Sequence, residues 1–270
     1  MTIFSAIQMN STENYQLNLS KALGFIQEAS ENGAKVISLP EMFNYIGKLE
    51  NNVYKNQETN NELVNLLGET AKKHKIYLLA GSINELTNNS EKTYNTSFLF
   101  SPDGTILKKY RKIHLFDALL NSPAKYKESD SYIAGEASQL PVIETEYGKF
   151  GLTICYDLRF PELFRKISLD GSQIIFVPSA FSATTGRDHW EVLLRARAIE
   201  NQVYIVASDQ FGFHDTHKES FGNSMIIDPW GKVISRASER EEVIYANIDL
   251  NYLKEIRTKL PVFSHRKVIN

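Results

Sequence analysis

Three residues of this 270-residue chain have the chemistry for covalent attack on a carbonyl: the lone cysteine Cys155, Glu41 and Lys112. A thiol becomes a nucleophile when it loses its proton. A nearby, partly buried carboxylate can take that proton and return it to a departing amine. An ammonium can stabilise both the thiolate and the oxyanion that attack creates. Their settings suit this use: Glu41 follows the apolar run KVISL and Pro40, Cys155 closes KFGLTIC, and Lys112 follows TILKKY. In α/β sheets reactive groups collect just beyond the carboxyl ends of strands, where loops vary while the sheet fixes their origin. After Cys155, DLRFPELFRKISL reads as a turn into a helix, whose terminal amides are expected to lower the thiol pKa and favour thiolate. Each residue also admits a purely structural reading: Glu41 as a helix cap, Lys112 as part of a solvated face in KKYRK, Cys155 as a small core hydrophobe.

The elements that must hold these residues alternate along the chain. Residues 15–30 are amphipathic, and short runs rich in β-branched residues (KVISL, IYLLAGS, SFLF, KFGLTIC, QIIFV, VYIVAS, SMIID) read as strands between helices. Residues 49–61 and 118–131 are polar enough to be long loops. An internal repeat orders the pattern. GAKVISLPEMF (residues 33–43) is similar to GSQIIFVPSAF (171–181), and YNTSFLFSPDGTIL (94–107) aligns without a gap on FGNSMIIDPWGKVI (221–234), each with a Pro-x-Gly turn between strands. IYLLAGS and VYIVASD stand at matching places, and a weaker match pairs FSAIQM with FGLTIC, making Met9 and Cys155 equivalent strand ends. The fold class expected is α/β, a four-layer α-β-β-α sandwich of two similar halves, in one domain spanning residues 1–270.

Composition excludes several functions. With 30 basic and 32 acidic residues and a formal net charge of -2, the chain offers no broad attraction to nucleic acid or an anionic membrane surface. No apolar run reaches the ~20 residues of a membrane span, and MTIFSAIQMN lacks the pattern of a secretory signal, so a cytoplasmic protein is expected. One cysteine permits no internal disulfide. His214 and His217 lie in a polar loop without further ligands at metal spacing, so no metal is expected. There is no G-x-S-x-G elbow, phosphate loop or G-x-G-x-x-G fingerprint.

SLPEMF, YRKIHLFD and GLTICYDLRFPEL resemble, in order and spacing, the Glu, Lys and Cys motifs of the nitrilase, or carbon-nitrogen hydrolase, superfamily. HWEVLLRARAIENQVYIVA, SFGNSMIIDPWGKV and IDLNYLKEIRTKLPVF resemble its Nit branch, so the likeness spans nearly the whole chain. The resemblance implies an α-β-β-α sandwich that dimerises through one helical face and needs no metal or organic cofactor. It makes Glu41 the general base, Lys112 the oxyanion-stabilising residue and Cys155 the nucleophile. Glu128, in KYKESDSYIAG, matches a second glutamate that orients the lysine and substrate. Carboxylate binding would fall to Arg159, Phe181 and Thr185, the last two on the loop after the next strand, and Tyr156 would supply an oxyanion-binding N–H. Arg159 also admits a structural pairing with Asp157 or Glu162.

Where nitrilases commonly place Trp-Glu after the nucleophile, this chain has Tyr156 and Asp157, as amide-hydrolysing relatives do. PSAF followed by HWEVLLRARAIE resembles amidases for deaminated glutathione, whereas YRKIHLFD and NQVYIVAS also resemble omega-amidases acting on keto-acid amides such as 2-oxoglutaramate and 2-oxosuccinamate. The expected reaction is release of ammonia from a small, carboxylate-bearing amide through a thioester. A catalytically dead scaffold of the same fold is the non-enzyme alternative, opposed by the presence of all four catalytic residue types. Replacing Glu41 or Lys112 is expected to cost several orders of magnitude in turnover while sparing the fold.

Overall fold

The computed structural model describes residues 1–47, 57–87, 92–118, 126–138, 141–214 and 218–267. Its first half runs β1 (Thr2–Gln8), α1 (Tyr15–Glu31), β2 (Val36–Ser38), α2 (Gln57–His74), β3 (Tyr77–Leu79) and β4 (Ile83–Glu85), then the hairpin β5 (Tyr94–Phe100) and β6 (Ile106–Arg111). The short pair β7 (Asp117–Ala118) and β8 (Tyr126–Lys127) leads into the second half. There follow β9 (Val142–Thr145), β10 (Gly148–Leu152), α3 (Pro161–Leu169), β11 (Ile174–Phe176), α4 (Ala183–Asn201) and β12 (Tyr204–Ala207). A small hairpin, β13 (Phe211–Phe213) and β14 (Glu219–Phe221), precedes a larger one, β15 (Met225–Ile227) and β16 (Val233–Arg236). Then β17 (Glu242–Ile248), α5 (Leu250–Lys259) and α6 (Val262–His265) complete the described elements.

The repeat seen in the sequence holds at the level of hydrogen-bond register. One sheet runs β17-β1-β2-β3-β5-β6, with β4 beside the start of β5, and the other runs β9-β10-β11-β12-β15-β16. Phe4 pairs with Val36 as Phe150 pairs with Ile174, and Val36 with Tyr77 as Ile174 with Tyr204. Leu79 faces Leu99 as Val206 faces Ile226. Even the register shift recurs, between Leu99 and Phe100 in one hairpin and between Ile226 and Ile227 in the other. Because a slip of one residue would turn every side chain to the opposite face, this agreement makes Met9 and Cys155 equivalent positions beyond strands β1 and β10. The halves differ where Gly222 and Asn223, both at positive φ, interrupt the second strand, so that its first residues peel away as β14.

The layers follow from where apolar residues fall. On α1, Ala22, Ile26 and Ala29 recur at helical spacing and pack with Leu63, Leu67 and Ala71 of α2 against Ile37, Leu78 and Phe98 of the first sheet. Between the sheets sits an aromatic cluster. Phe4 meets Phe150 edge-on at 5.8 Å between centroids and lies parallel to Phe176 at 6.4 Å, while Tyr77 meets Phe150 at 5.9 Å. Each such ring contributes roughly 1.5–3 kcal/mol of burial. Beyond the second sheet, Phe164 of α3 and Trp190 and Leu194 of α4 close the far side. The four-layer sandwich expected from the sequence is therefore present.

Two loop expectations need correction. Residues 49–61 are helical from Gln57, because Leu63, Leu67 and Ala71 form one narrow buried stripe beneath an otherwise polar surface; residues 48–56 lie outside the described residues. Within residues 118–131 the described part carries β8 and a 3-10 turn, Glu128–Asp130, with residues 119–125 outside the description. At the end of β3, Gly81 takes φ +40°, and a Cβ there would fall 1.9 Å from the Pro40 carbonyl oxygen, directly before Glu41. Gly81→Ala is expected to lose more than about 1 kcal/mol of stability together with most turnover; unchanged urea unfolding would contradict this packing.

Candidate active site

Glu41 stands in the turn after β2, Lys112 directly after β6, Cys155 just past β10 and Glu128 at the head of its 3-10 turn, and all four are buried. The structure brings them together. Lys112 Nζ lies 2.9 Å from Glu41 Oε1 and 2.9 Å from Glu128 Oε1, with the lysine side chain only 2% exposed. The Glu41 carboxylate also accepts from Asn95 Nδ2 at 2.8 Å and, on its other oxygen, from the Ala180 N–H at 2.8 Å. Glu128 accepts the Phe116 N–H at 2.6 Å and makes a longer contact, 3.4 Å, with Asn95 Nδ2. Cys155 is buried beside this cluster, near enough that the charges of Glu41 and Lys112 both act on its thiol.

Local sequence explains these positions. The backbone of Asn95 in β5 accepts the Lys112 N–H at 2.9 Å, so one residue sets the lysine's place and clamps Glu41 with its side chain. Tyr110, Lys112 and His114 share the two-residue spacing of a strand face. The two aromatic members both reach Asp157: Tyr110 Oη at 2.7 Å, and His114 through its N–H at 3.1 Å and Nδ1 at 2.7 Å. Asp157 is fully buried, and it also accepts the Ile154 N–H at 2.9 Å, fixing the turn around Cys155. Burial and the Asp157 carboxylate together hold the Tyr110 hydroxyl protonated, its pKa well above the usual phenol value. The lysine and the cysteine are thus tied through one carboxylate that touches neither.

Backbone strain marks the same places. Met42, next to Glu41, has φ +56°, and Cys155 itself has φ +45°. Left-handed geometry costs a non-glycine residue of order 1–3 kcal/mol and persists only when surrounding bonds impose it. Here the Met42 N–H donates to Ser82 Oγ at 3.1 Å, and the Cys155 N–H to the Pro178 carbonyl at 2.9 Å. The repeat places Asp209 where the first half has Ser82. Asp209 accepts the Phe181 N–H at 2.8 Å, steadying the loop whose preceding amide holds Glu41. Burial, with the nearby Glu41 charge, raises the Asp209 carboxyl well above the usual carboxylate range.

The expectation of a thiol depressed by helix amides does not hold. Cys155 opens a 3-10 turn, Cys155–Arg159, while α3 starts only at Pro161. Burial first, and the Glu41 carboxylate second, push the thiol well above its ordinary value, outweighing the opposing Lys112 charge. Lys112 behaves in the converse way: burial alone would lower its pKa, but Glu128 and Glu41 more than offset this and hold the ammonium well above the usual lysine value. The buried group therefore carries one cation and two carboxylates around a neutral thiol, a net negative charge that opposes adding a thiolate. Moving the thiol proton onto Glu41 leaves that net charge unchanged, so ionisation by internal transfer is the accessible route.

Of the remaining sequence candidates, Tyr156, Arg159 and Phe181 form a second group, with Tyr156 and Arg159 half-buried and Phe181 buried. The Arg159 guanidinium lies 5.8 Å from the Tyr156 ring centroid and 5.1 Å from that of Phe181. Asp157 is occupied by Tyr110, His114 and Ile154, and among the described residues no carboxylate lies within ion-pair distance of Arg159, so its structural pairing with Asp157 or Glu162 is absent. Thr185 stands in the first turn of α4 rather than on a loop, as do its neighbours from Ala183 onward. His214 is buried, with Nδ1 2.7 Å from the Ser11 carbonyl and Nε2 2.8 Å from Ser220 Oγ, and His217 lies outside the described residues. Sequence reasoning missed Asn95, Asp209, Tyr110 and His114; a polar residue inside the apolar strand YNTSFLF was the available signal for Asn95.

Two expectations follow. Folded-state protonation of Cys155 is favoured over the unfolded value near 8.5, so this contribution to stability is complete below that pH and is lost as pH rises toward the folded value. Relative to Cys155→Ala, the native protein should lose about 1.4 kcal/mol per pH unit above pH ~9, read from urea melts between pH 7 and 10; a native protein that gains on the variant would show a folded thiolate. The expectation that Lys112 can be removed without harm to the fold is also revised. Lys112→Met leaves two carboxylates buried without their cation and should cost about 3–5 kcal/mol, whereas a loss below 1 kcal/mol would mean that water reaches the cluster.

The model of the carbon-nitrogen hydrolase family matches residues 4–258. An omega-amidase NIT2 of Danio rerio is 40% identical over 265 residues, covering 97% of this chain and 94% of that protein. A deaminated glutathione amidase of Synechocystis sp. is 38% identical over 263 residues, covering 97% of both chains. The crystal structure of the Caenorhabditis elegans NitFhit protein superposes with a TM-score of 0.93 at 38% identity, over 98% of this chain and 65% of that one. The two-sheet fold, the buried Glu-Lys-Cys group and these matches agree that the chain belongs to the carbon-nitrogen hydrolase family.

Proposed function

We propose that the chain is a cysteine-dependent amidohydrolase, one catalytic domain over its length, that releases ammonia from a small amide bearing a free carboxylate. The observation that carries this reading is the buried cluster in which Lys112 contacts both Glu41 and Glu128 beside Cys155. Glu41 takes the thiol proton as Cys155 Sγ attacks the amide carbonyl. Lys112 and the Tyr156 N–H, in the first turn of its 3-10 segment where helical bonding leaves donors spare, stabilise the oxyanion. Collapse breaks the C–N bond, Glu41 protonates the departing nitrogen, and a thioester remains. Glu41 then deprotonates a water that attacks the thioester, and the carboxylate leaves as the proton returns to Cys155. Glu128 and Asn95 hold Lys112 and Glu41 in place throughout. Neither metal nor organic cofactor enters any step.

Deaminated glutathione is the preferred substrate and a keto-acid amide such as 2-oxoglutaramate the alternative; relatives named for both activities are similar to this chain. Arg159, with Tyr156 and Phe181 beneath it, suits the free carboxylate that both substrates carry, and Thr185 would complete that end of the pocket. A reactive thiol that must stay reduced fits a cytoplasmic enzyme, and among the described residues no helix is long and apolar enough to cross a membrane. Val192 and Ile199 lie two turns apart on α4 and are 66% and 49% exposed, which favours a homodimer formed through this helical face.

Ammonia release by native protein and Cys155→Ala, assayed with deaminated glutathione and 2-oxoglutaramate, tests the reading. Native protein should turn over at least one, with preference for the first, and the variant should be folded and inactive. Turnover retained in Cys155→Ala would remove Cys155 as nucleophile, and preference for 2-oxoglutaramate would make the chain an omega-amidase.

A further inference from the structure

Arg159 ends the 3-10 turn that Cys155 begins, so the guanidinium and the nucleophile sit on one short rigid element. Its charge is held by two ring faces and one further contact: Arg159 Nη1 lies 3.2 Å from His189 Nδ1. Guanidinium only donates, so in this contact Nδ1 is the acceptor. His189 is itself firmly placed. The next residue, Trp190, is fully buried, donates its indole N–H to the Asn223 carbonyl at 2.9 Å and packs on Phe181 at 5.0 Å between centroids. One helix turn earlier, Gly186 is pressed so closely on Phe221 that a Cβ would meet that ring at 2.4 Å. The stretch of α4 that carries His189 is thereby locked to the loop carrying Phe181.

An arginine side chain has several rotatable bonds, and freezing them costs up to about 2 kcal/mol. A receptor whose guanidinium is already fixed spares the substrate that cost on binding. We infer that His189 is the positioning residue that sets substrate selectivity: by accepting from Nη1 it aims the remaining Arg159 N–H groups at the carboxylate of the amide, distinguishing acidic amides from neutral ones. This rests on the amidase reading above. His189 touches no reacting atom, so its effect belongs to binding of the acidic end of the substrate.

Succinamate and its methyl ester share the scissile amide and differ in that charge. The readout is the ratio of their KM values in native protein, His189→Ala and His189→Asn, because general damage to the fold alters both substrates alike and cancels. In His189→Ala the preference for succinamate should fall about tenfold, ~1.4 kcal/mol, with kcat for succinamate little changed. In His189→Asn, whose amide oxygen can accept in place of Nδ1, the preference should return to within about threefold of native. An unchanged ratio in His189→Ala, or loss of kcat with both substrates, would overturn the inference. Calorimetric binding of succinamate to Cys155→Ala, with and without His189→Ala, separates the two readings: His189-dependent affinity in a protein whose native form hydrolyses no amide would uphold the selectivity site and remove the amidase assignment.

Discussion

A lysine ammonium buried between two glutamates is the interaction on which the site depends. Removing three charges from water is costly, and only close contacts on every side offset it. Lys112 has those contacts at 2.9 Å to both Glu41 and Glu128, and the glutamates have theirs in Asn95 and in the backbone amides of Phe116 and Ala180. The cluster is therefore buried, closely held and overall negative. These properties explain why Cys155 rests as a thiol and why its activation needs a partner that can receive a proton without changing the local charge. In the proposed mechanism Glu41, whose charge already acts on the thiol, is that partner. In the same proposed mechanism the ammonium is already fixed by its two glutamates, so stabilising the oxyanion requires no reorganisation when charge develops.

Duplication supplies the geometry. Two sheets with matching registers bring the ends of β2 and β10 together, one from each half, and the site draws Glu41 and Lys112 from the first half and Cys155 from the second. The equivalent of Cys155 is Met9 and that of Glu41 is Ser179, both fully buried in packing and hydrogen bonding instead of chemistry. Gln210 ties the halves across this junction, its amide donating to Ser11 Oγ at 2.9 Å and to the Glu41 carbonyl at 3.0 Å. Motion of one half against the other would cost these bonds and the aromatic packing of Phe4 on Phe150 and Phe176, so the reacting groups are held as firmly as the core itself.

Much of this was legible in the sequence because the signals were local. Strand-Pro-Glu, strand-Cys-turn and hairpin-Lys each announce a residue beyond a strand end, and the repeated glycine, proline and phenylalanine positions announce two like halves. The family expectation drawn from these motifs is borne out by the match over residues 4–258. The thiol's ionisation was misjudged because it depends first on burial and then on charges gathered from distant segments: Glu41 and Lys112 meet at Cys155 only in the fold. Asn95, Asp157 and Asp209 were hidden for the same reason, since a buried polar residue declares its partners only when the segments that face it are present. The loop expected over residues 49–61 ran too far, into the start of α2 at Gln57, because a helix that buries one narrow stripe looks polar in sequence.

Amide cleavage through an acyl group on Cys155 can be caught by hydroxylamine competition. A thioester partitions between water and hydroxylamine, so the native enzyme turning over its amide should form hydroxamate in proportion to added hydroxylamine, with the acyl group found on the Cys155 peptide after acid quench. Carboxylate as the sole acyl product at every hydroxylamine concentration, with Cys155 unmodified during turnover, would contradict the account and point to direct attack by water.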